Sequence, residues 1–258
     1  MASSTAPNGN NLILGKGALY FDQLDTSGNK TGELHLGNCE TFEITPTADM
    51  ATKKSSMDKS AGVIAQAVKS VQIDLAIKGN EFNKENLALV FLGTTAAFTQ
   101  GTGTVTSETV TSSAKKGRYY ATQNRNISAV TVKAGVAGST AMTAGTDYTV
   151  DAVSGRIYVV PGGGIAVGDI IKVDYTYSAI TSQKVIAGTV PNVRGFLRYV
   201  SDNSAGDNKE VQIWNAQLHP DGAIGFISDD YADWAIKGTI INDAANHPTE
   251  PYFRVIEL

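Results

Sequence analysis

A mainly β, antiparallel fold with one flanking α-helix is predicted by three observations. Short stretches of apolar and polar alternation recur along the 258 residues. Turn signals rich in Gly, Asp and Asn separate them, and a single stretch carries a helical stripe. With 42% hydrophobic and 18% charged residues the chain can bury a sizeable core.

Taken in order, the opening MASSTAPNGNN has neither the basic nor the apolar region of a signal peptide and reads as a weakly ordered arm. LILGKGALYFDQL (12–24) is apolar and ends at the turn DTSGN (25–29). TGELHLGNCETFEI (31–44) follows, with Phe42 and Ile44 alternating against Thr41 and Glu43 until Pro46 closes the strand. Residues 46–68 lack a strong turn pair and read as a long polar arm, of a length usually functional or disordered. VQIDLAIKG (71–79) alternates again, and a slip of one residue would expose Val71, Ile73, Leu75 and Ile77 together.

The helix is predicted over FNKENLALVFLG (82–93). Asn83 serves as N-cap, with Glu85 in the first turn. Phe82 and Leu87 occupy staple positions, while Leu87, Val90 and Phe91 form the packing stripe and Gly93 the stop. Composition then shifts. TQGTGTVTSETVTSSAKKG (99–117) reads as a linker into the short strands RNISAVTVKA, TDYTV, GRIYVVPG and GDIIKVDYTYSA. These define an inserted small β-sandwich (Ig-like) module over 101–184, between the parent halves 1–100 and 185–258. The parent resumes with VIAGTVPNVRGFLRYVSD, a hairpin into KEVQIWNAQLHP, and strands at 222–230, 234–243 and 251–258.

Charge separates the parts. Residues 101–184 carry 8 Lys+Arg against 5 Asp+Glu, whereas 1–100 carry 8 against 10 and 185–258 carry 5 against 10. A net charge of −4 argues against a nucleic-acid reader. The single cysteine, Cys39, excludes an internal disulfide framework, and no apolar run is long enough for a helical span. His35, His219 and His247 have no partner at metal-ligand spacing, and the glycines of 101–104 and 161–164 match no phosphate loop. The Asp and Asn of the turns lack EF-hand spacing. Asp229 and Asp230, neighbours on a predicted strand, would point to opposite faces, and Trp214, Trp234, Tyr231 and Phe226 are aromatic enough for a core or an interface, core being the ordinary reading of each. No cofactor, metal or catalytic constellation is expected.

One stretch carries more. RGFLRYVSDNSAGDNKEVQIWNAQLHPDGAIGFISDDYADWAIKGTIINDAA sets Leu218-His219-Pro220-Asp221-Gly222 before Asp229-Asp230 and then Ile241-Asn242-Asp243. With GALYFDQL, the long arm and the single helix, that order over 1–98 and 185–258 resembles the major tail tube proteins of long-tailed (siphovirus-like) bacteriophages. The resemblance implies an antiparallel sandwich or half-barrel, assembled into hexameric rings whose inner sheets join around a channel. Rings would stack into the virion tail, with tape measure and tail-terminator proteins as partners, and viral DNA would pass without specific binding or membrane insertion. Synthesis would be in the host bacterial cytoplasm. In such a tube the arm packs on the next ring, so Lys53, Lys54, Lys59, Val63 and Ile64 become ring-stacking residues. Thr41, Glu43, Gln72 and Asp74 would face the channel as an acidic lining, since cations would hold DNA. Arg194 and Arg198 should then point outward or into a subunit interface. A contractile-injection or secretion tube protein shares the ring-forming fold; a surface adhesin or carbohydrate-binding β module is the reading from another class.

Overall fold

In a computed structural model, residues 12–57 and 59–258 are described; the opening arm of residues 1–11 lies outside them. In chain order the first strands are β1 (Gly17–Gln23), β2 (Leu34–His35), β3 (Cys39–Lys54) and β4 (Val63–Gly79), followed by α1 (Lys84–Val90). Next come β5 (Thr94–Gln100), β6 (Gly103–Thr111), β7 (Tyr119–Ala121), β8 (Ile127–Ala134), β9 (Thr140–Ala141), β10 (Tyr148–Asp151), β11 (Arg156–Val159), β12 (Ile171–Tyr177) and β13 (Ile180–Ile186). The last are β14 (Val193–Ser201), β15 (Lys209–Pro220), β16 (Trp234–Ile240) and β17 (Phe253–Glu257). Among the described residues the protein is mainly antiparallel β with one helix, and it divides into two units: the chain up to Thr95 with Val185–Leu258, and Ala96–Lys184.

The first unit is one sheet in the order β2-β1-β14-β15-β16-β4-β3. Strand β15 is long enough to pair β16 with its second half and β17 with its first. Alternation sets the core. Leu19 and Phe21 of β1, Ile73, Leu75 and Ile77 of β4, and Trp234, Ile236 and Ile240 of β16 all turn to one side. Gly79 is there because a Cβ would stand 2.4 Å from the Trp234 indole.

The helix begins as the sequence predicts: Asn83 Oδ1 accepts from Asn86 N at 2.7 Å. Its packing face is turned, however. Asn86, Ala88, Leu89 and Val90 are buried, and Leu89 and Val90 join the core. Leu87 is half-buried and outside that cluster, and Phe91 stacks on Phe226, with ring centroids 6.2 Å apart. The helix stops at Leu92, which takes the left-handed φ of 49° usually left to glycine. Gly93 is needed for a different reason, since a Cβ there would meet Ile186 O at 2.2 Å.

Three other expectations are corrected. Residues 46–68 are no irregular loop: β3 runs through Pro46 to Lys54 and pairs back on β4, leaving 55–62 as the connection. Pro46 is tolerated because β3 is the last strand of the sheet, where a missing N–H need leave no ladder bond unmade. Residues 99–117 contain β6, a paired strand rather than a linker. Residues 222–230 form no strand, and Phe226 (74% exposed), Ile227 (99%) and the neighbouring Tyr231 (92%) stand in solvent instead of a core.

The second unit has two sheets, β10-β11-β7 and β6-β12-β8-β9, around its own core of Ile127, Val132, Ile157, Val159, Ile171 and Val173. Strands β5 and β13, which lead in and out, pair with each other. Asp174 of β12 ties the four-stranded sheet together, accepting from Lys133 Nζ at 2.5 Å and Ser107 N at 2.6 Å.

Candidate assembly surface

Three features of the first unit are chemically unusual: the open end of its sheet, the hairpin that leaves it, and the polar face beside it. Strand β4 meets β16 only through 74–79, so 63–73 has β3 as its one strand partner among the described residues. Beyond the core the two strands continue as a free hairpin, with 45–54 and 63–72 exposed throughout. Ten residues on each strand give it a length of roughly 30 Å.

The hairpin does not lose its amphipathic pattern on leaving the core. On the core side the cross-strand pairs run Phe42 with Ile77, Ile44 with Leu75, Pro46 with Ile73, Ala48 with Val71 and Met50 with Val68. Val71 is 48% exposed, Val68 57% and Met50 40%, so the apolar face outruns anything that covers it. A two-stranded hairpin alone is marginal in water, and a contiguous exposed apolar strip marks an interaction site. Near the tip Lys54 pairs with Val63, and Lys53 with Ala65. The structure therefore brings Lys53, Lys54, Val63 and Ile64 together at the far end, with Lys59 in the connection. Val63 and Ile64 are 59% and 65% exposed.

The opposite face holds the four residues expected to line a channel. Thr41 and Glu43 of β3 and Gln72 and Asp74 of β4 do share it, since each alternates with a core residue. Asp74 is tied down: Gln72 Nε2 donates to both its oxygens at 2.9 Å, and Thr239 Oγ1 donates to Oδ1 at 2.9 Å.

The acidic character expected of this face is overturned. The register runs Arg194, Gln217, Thr239, Asp74 and Thr45 straight across five strands, so Arg194 stands in the same row as Asp74. Arg198, two residues apart at each step from Arg194, shares that face with it, bound to Glu33 at 2.9 Å and to Glu210. Lys237 and Lys78 also lie there. Lys78 bridges Asp233 at 2.7 Å and Glu40 at 3.0 Å, and those contacts, Asp233 first, raise its pKa. Lys237 pairs with Asp221 at 3.0 Å. Arg194 has only Asn215 Oδ1, 3.4 Å from its Nε, and no ion pair among the described residues. The face is mixed and largely self-neutralised, which residue counts on two strands did not reveal because, Lys78 of β4 apart, the cations come from β14 and β16.

Further along this face lies an aromatic stack that sequence reading treated as core. Trp214 lies flat against His247, centroids 3.9 Å apart and planes 4° apart, with Arg254 over the indole at 5.0 Å. His247 Nδ1 is 3.0 Å from Asp243 Oδ2.

An opening of about 430 Å³ beside α1 is lined by Phe21, Leu34, Ala88, Leu89 and Val190, and Glu85 is the one ionisable group in its wall. Burial and then Glu81 push the Cys39 thiol up to about 11, which keeps it protonated and unreactive. Among the described residues no three His, Cys, Asp or Glu gather at metal-binding distance, and no helix is long and apolar enough to cross a membrane.

A family model described as "Protein of unknown function UCP028589" matches residues 12–256. No curated protein matches the chain.

Proposed function

We propose, of a chain that belongs to the family of proteins of unknown function UCP028589, that it is a structural subunit whose use lies in self-assembly. The reading is that of a major tail tube protein: hexameric rings stacked into a phage tail, made in the host cytoplasm and finished with tape measure and terminator partners. It is not an enzyme in this reading and needs no cofactor.

One observation carries the proposal. An apolar face continues from the core along a bare hairpin, from Ala48 and Val71 to Met50 and Val68. Covering such a strip with a sister copy removes it from water at about 25 cal/mol per Å². The sheet also ends openly. At one end is β3, and at the other β2, two residues long, covers only Tyr20 and Phe21 of β1. Unpaired edges invite further strands, and ring closure across copies is a way to use them without runaway pairing.

A channel lined by the Thr41–Glu43–Asp74 face would be neutralised rather than acidic. Lys78 and Lys237 already hold carboxylates, so little free positive charge remains to condense on phosphates. Arg194 is the exception within each copy.

The test is electron microscopy of negatively stained protein, beside a variant in which Met50–Lys69 is replaced by Asn-Gly. The flanking residues Asp49 and Ser70 pair, so a two-residue turn closes the shortened hairpin. The wild type is expected as rings or tubes, and the variant as folded single particles. Monodisperse wild type at high concentration, or tubes from the variant, defeats the reading.

A further inference from the structure

The Ala96–Lys184 unit has two outer sheet faces, and they differ in chemistry. That of β6-β12-β8-β9 carries hydroxyls, a closed ion pair and Lys172: Ser128 and Thr176 bond at 2.8 Å, Lys133 meets Asp174, and Lys172 stands opposite Lys133. That of β10-β11-β7 carries aromatic rings and a guanidinium. Its register sets Thr149, Tyr158 and Tyr119 in one row, and Asp151, Arg156 and Ala121 in the next. The alternating residues Tyr148, Ile157 and Val159 are buried, so both rows face away from the core.

Tyr119 is 56% exposed, which makes it the most open aromatic of this unit among the described residues. Its ring sits 4.8 Å from that of Tyr158. The Arg156 guanidinium carbon lies 5.0 Å from its centroid, held by a bond from Nη2 to Asp151 Oδ2 at 2.6 Å. The rings and the guanidinium are thus fixed before any ligand arrives, which lowers the ordering cost of binding. Strand β7 is the last of its sheet, so the platform is open on that side.

Charge indicates what the platform would take. Two of the unit's five carboxylates are closed in ion pairs, Asp174 with Lys133 and Asp151 with Arg156, while Asp147, Asp169 and Glu108 keep their charge and accept from backbone N–H groups of the same unit. Lys115, Lys116 and Arg118, immediately before β7, are exposed and form no ion pair among the described residues; Lys116 Nζ donates to Gly163 O at 2.9 Å. Three cations thus immediately precede Tyr119, in a chain whose net charge is −4.

We propose that the Tyr119–Tyr158–Arg156 face binds an acidic polysaccharide. The C–H face of a sugar ring lies on the electron-rich face of Tyr119, as cations and aromatic edges do. Thr149 and the guanidinium of Arg156 meet ring hydroxyls, and Lys115 and Arg118 meet the carboxylates of neighbouring sugars. A protein partner is disfavoured, because Thr149, Asp151 and Ala121 surround the rings with little apolar area. A nucleic acid is disfavoured because tracking phosphates takes cations spread along a groove, and these three sit in one short segment, 115–118. The inference concerns the inserted unit alone and stands or falls independently of tube formation.

The test is affinity electrophoresis of the full chain through polygalacturonate, with neutral dextran and oligo(dT) as comparisons, for wild type, Tyr119→Ala and Tyr119→Phe. Polygalacturonate should retard the wild type, and neither comparison should match it. Tyr119→Ala should weaken retardation roughly tenfold, and Tyr119→Phe, which keeps the ring, by no more than about twofold. No retardation by polygalacturonate, equal retardation of Tyr119→Ala, or stronger Tyr119-dependent binding of dextran or oligo(dT) overturns the proposal.

Discussion

Asn86 is fully buried in the helix, an unusual place for an amide. Its Nδ2 donates to Leu36 O at 2.9 Å and Glu81 O at 3.0 Å, fastening α1 to the segments before β3 and after β4. Trp234 Nε1 also donates to Glu81 O, at 2.9 Å, so that carbonyl has a second partner while Leu36 O relies on Asn86. Asn86→Ala should therefore cost about 2 kcal/mol, mostly by stranding the Leu36 carbonyl. Urea unfolding followed by tryptophan fluorescence measures it, since Trp234 is in the same core. A loss under about 0.5 kcal/mol would mean that water replaces the amide. This residue was not legible beforehand. The stripe Leu87, Val90, Phe91 satisfies helical spacing, but the helix is set by its two ends. The cap at Asn83 and the left-handed Leu92 rotate Leu89 inward and leave Leu87 half-exposed.

At the scale of elements, the legible parts were those whose alternation ends in burial. Val71 to Gly79 was readable because Ile73, Leu75 and Ile77 face a core. The hairpin beyond was missed because its sequence is lysine-, threonine- and serine-rich with little burial to enforce a pattern; its strands persist by pairing with each other. Strand β6 was missed for a related reason, since threonine favours strands yet reads as linker beside Gly and Ser. Residues 222–230 show the converse error, apolar spacing without a partner strand. The small sandwich is more telling electrostatically. Lys133 and then Ser107 N lower the pKa of Asp174, Arg156 lowers that of Asp151, and the Thr143 and Gly164 amides lower that of Asp147. A carboxylate depressed in the folded state stabilises fully above its unfolded value, and that stabilisation is lost as pH falls through the folded value. The urea midpoint of the Ala96–Lys184 unit should hold steady from pH 7 to about 5 and decline below about 4. Asp174→Asn should start lower and decline less. An unchanged midpoint down to pH 2 would show that these bonds add nothing to folding.

For the whole molecule the two separate cores matter most. Ile157, Val159 and Ile171 pack within the inserted unit and Leu75, Leu197 and Ile236 within the other. Ala96–Lys184 expressed alone should therefore fold, giving dispersed amide signals and one cooperative melt; a spectrum collapsed to random-coil shifts would refute this. Division into an insert and a parent was visible from composition and charge, whereas the sheet order was not, because it depends on partners far apart in sequence.

That order has a consequence for biosynthesis. Gly17 pairs with Ser201 and Trp234 with Gly79, so the β1–β14 and β4–β16 seams of the larger sheet join residues made before the insert to residues made after it. On the ribosome the small sandwich has all its strands first and can close while β1 and β4 wait with their edges bare. Such distant pairing is slow and leaves nascent apolar strands open to misjoining. The hairpin of β3 and β4 is then the first part of the larger unit able to zip up, and it emerges already shaped for a neighbour before the body that carries it exists.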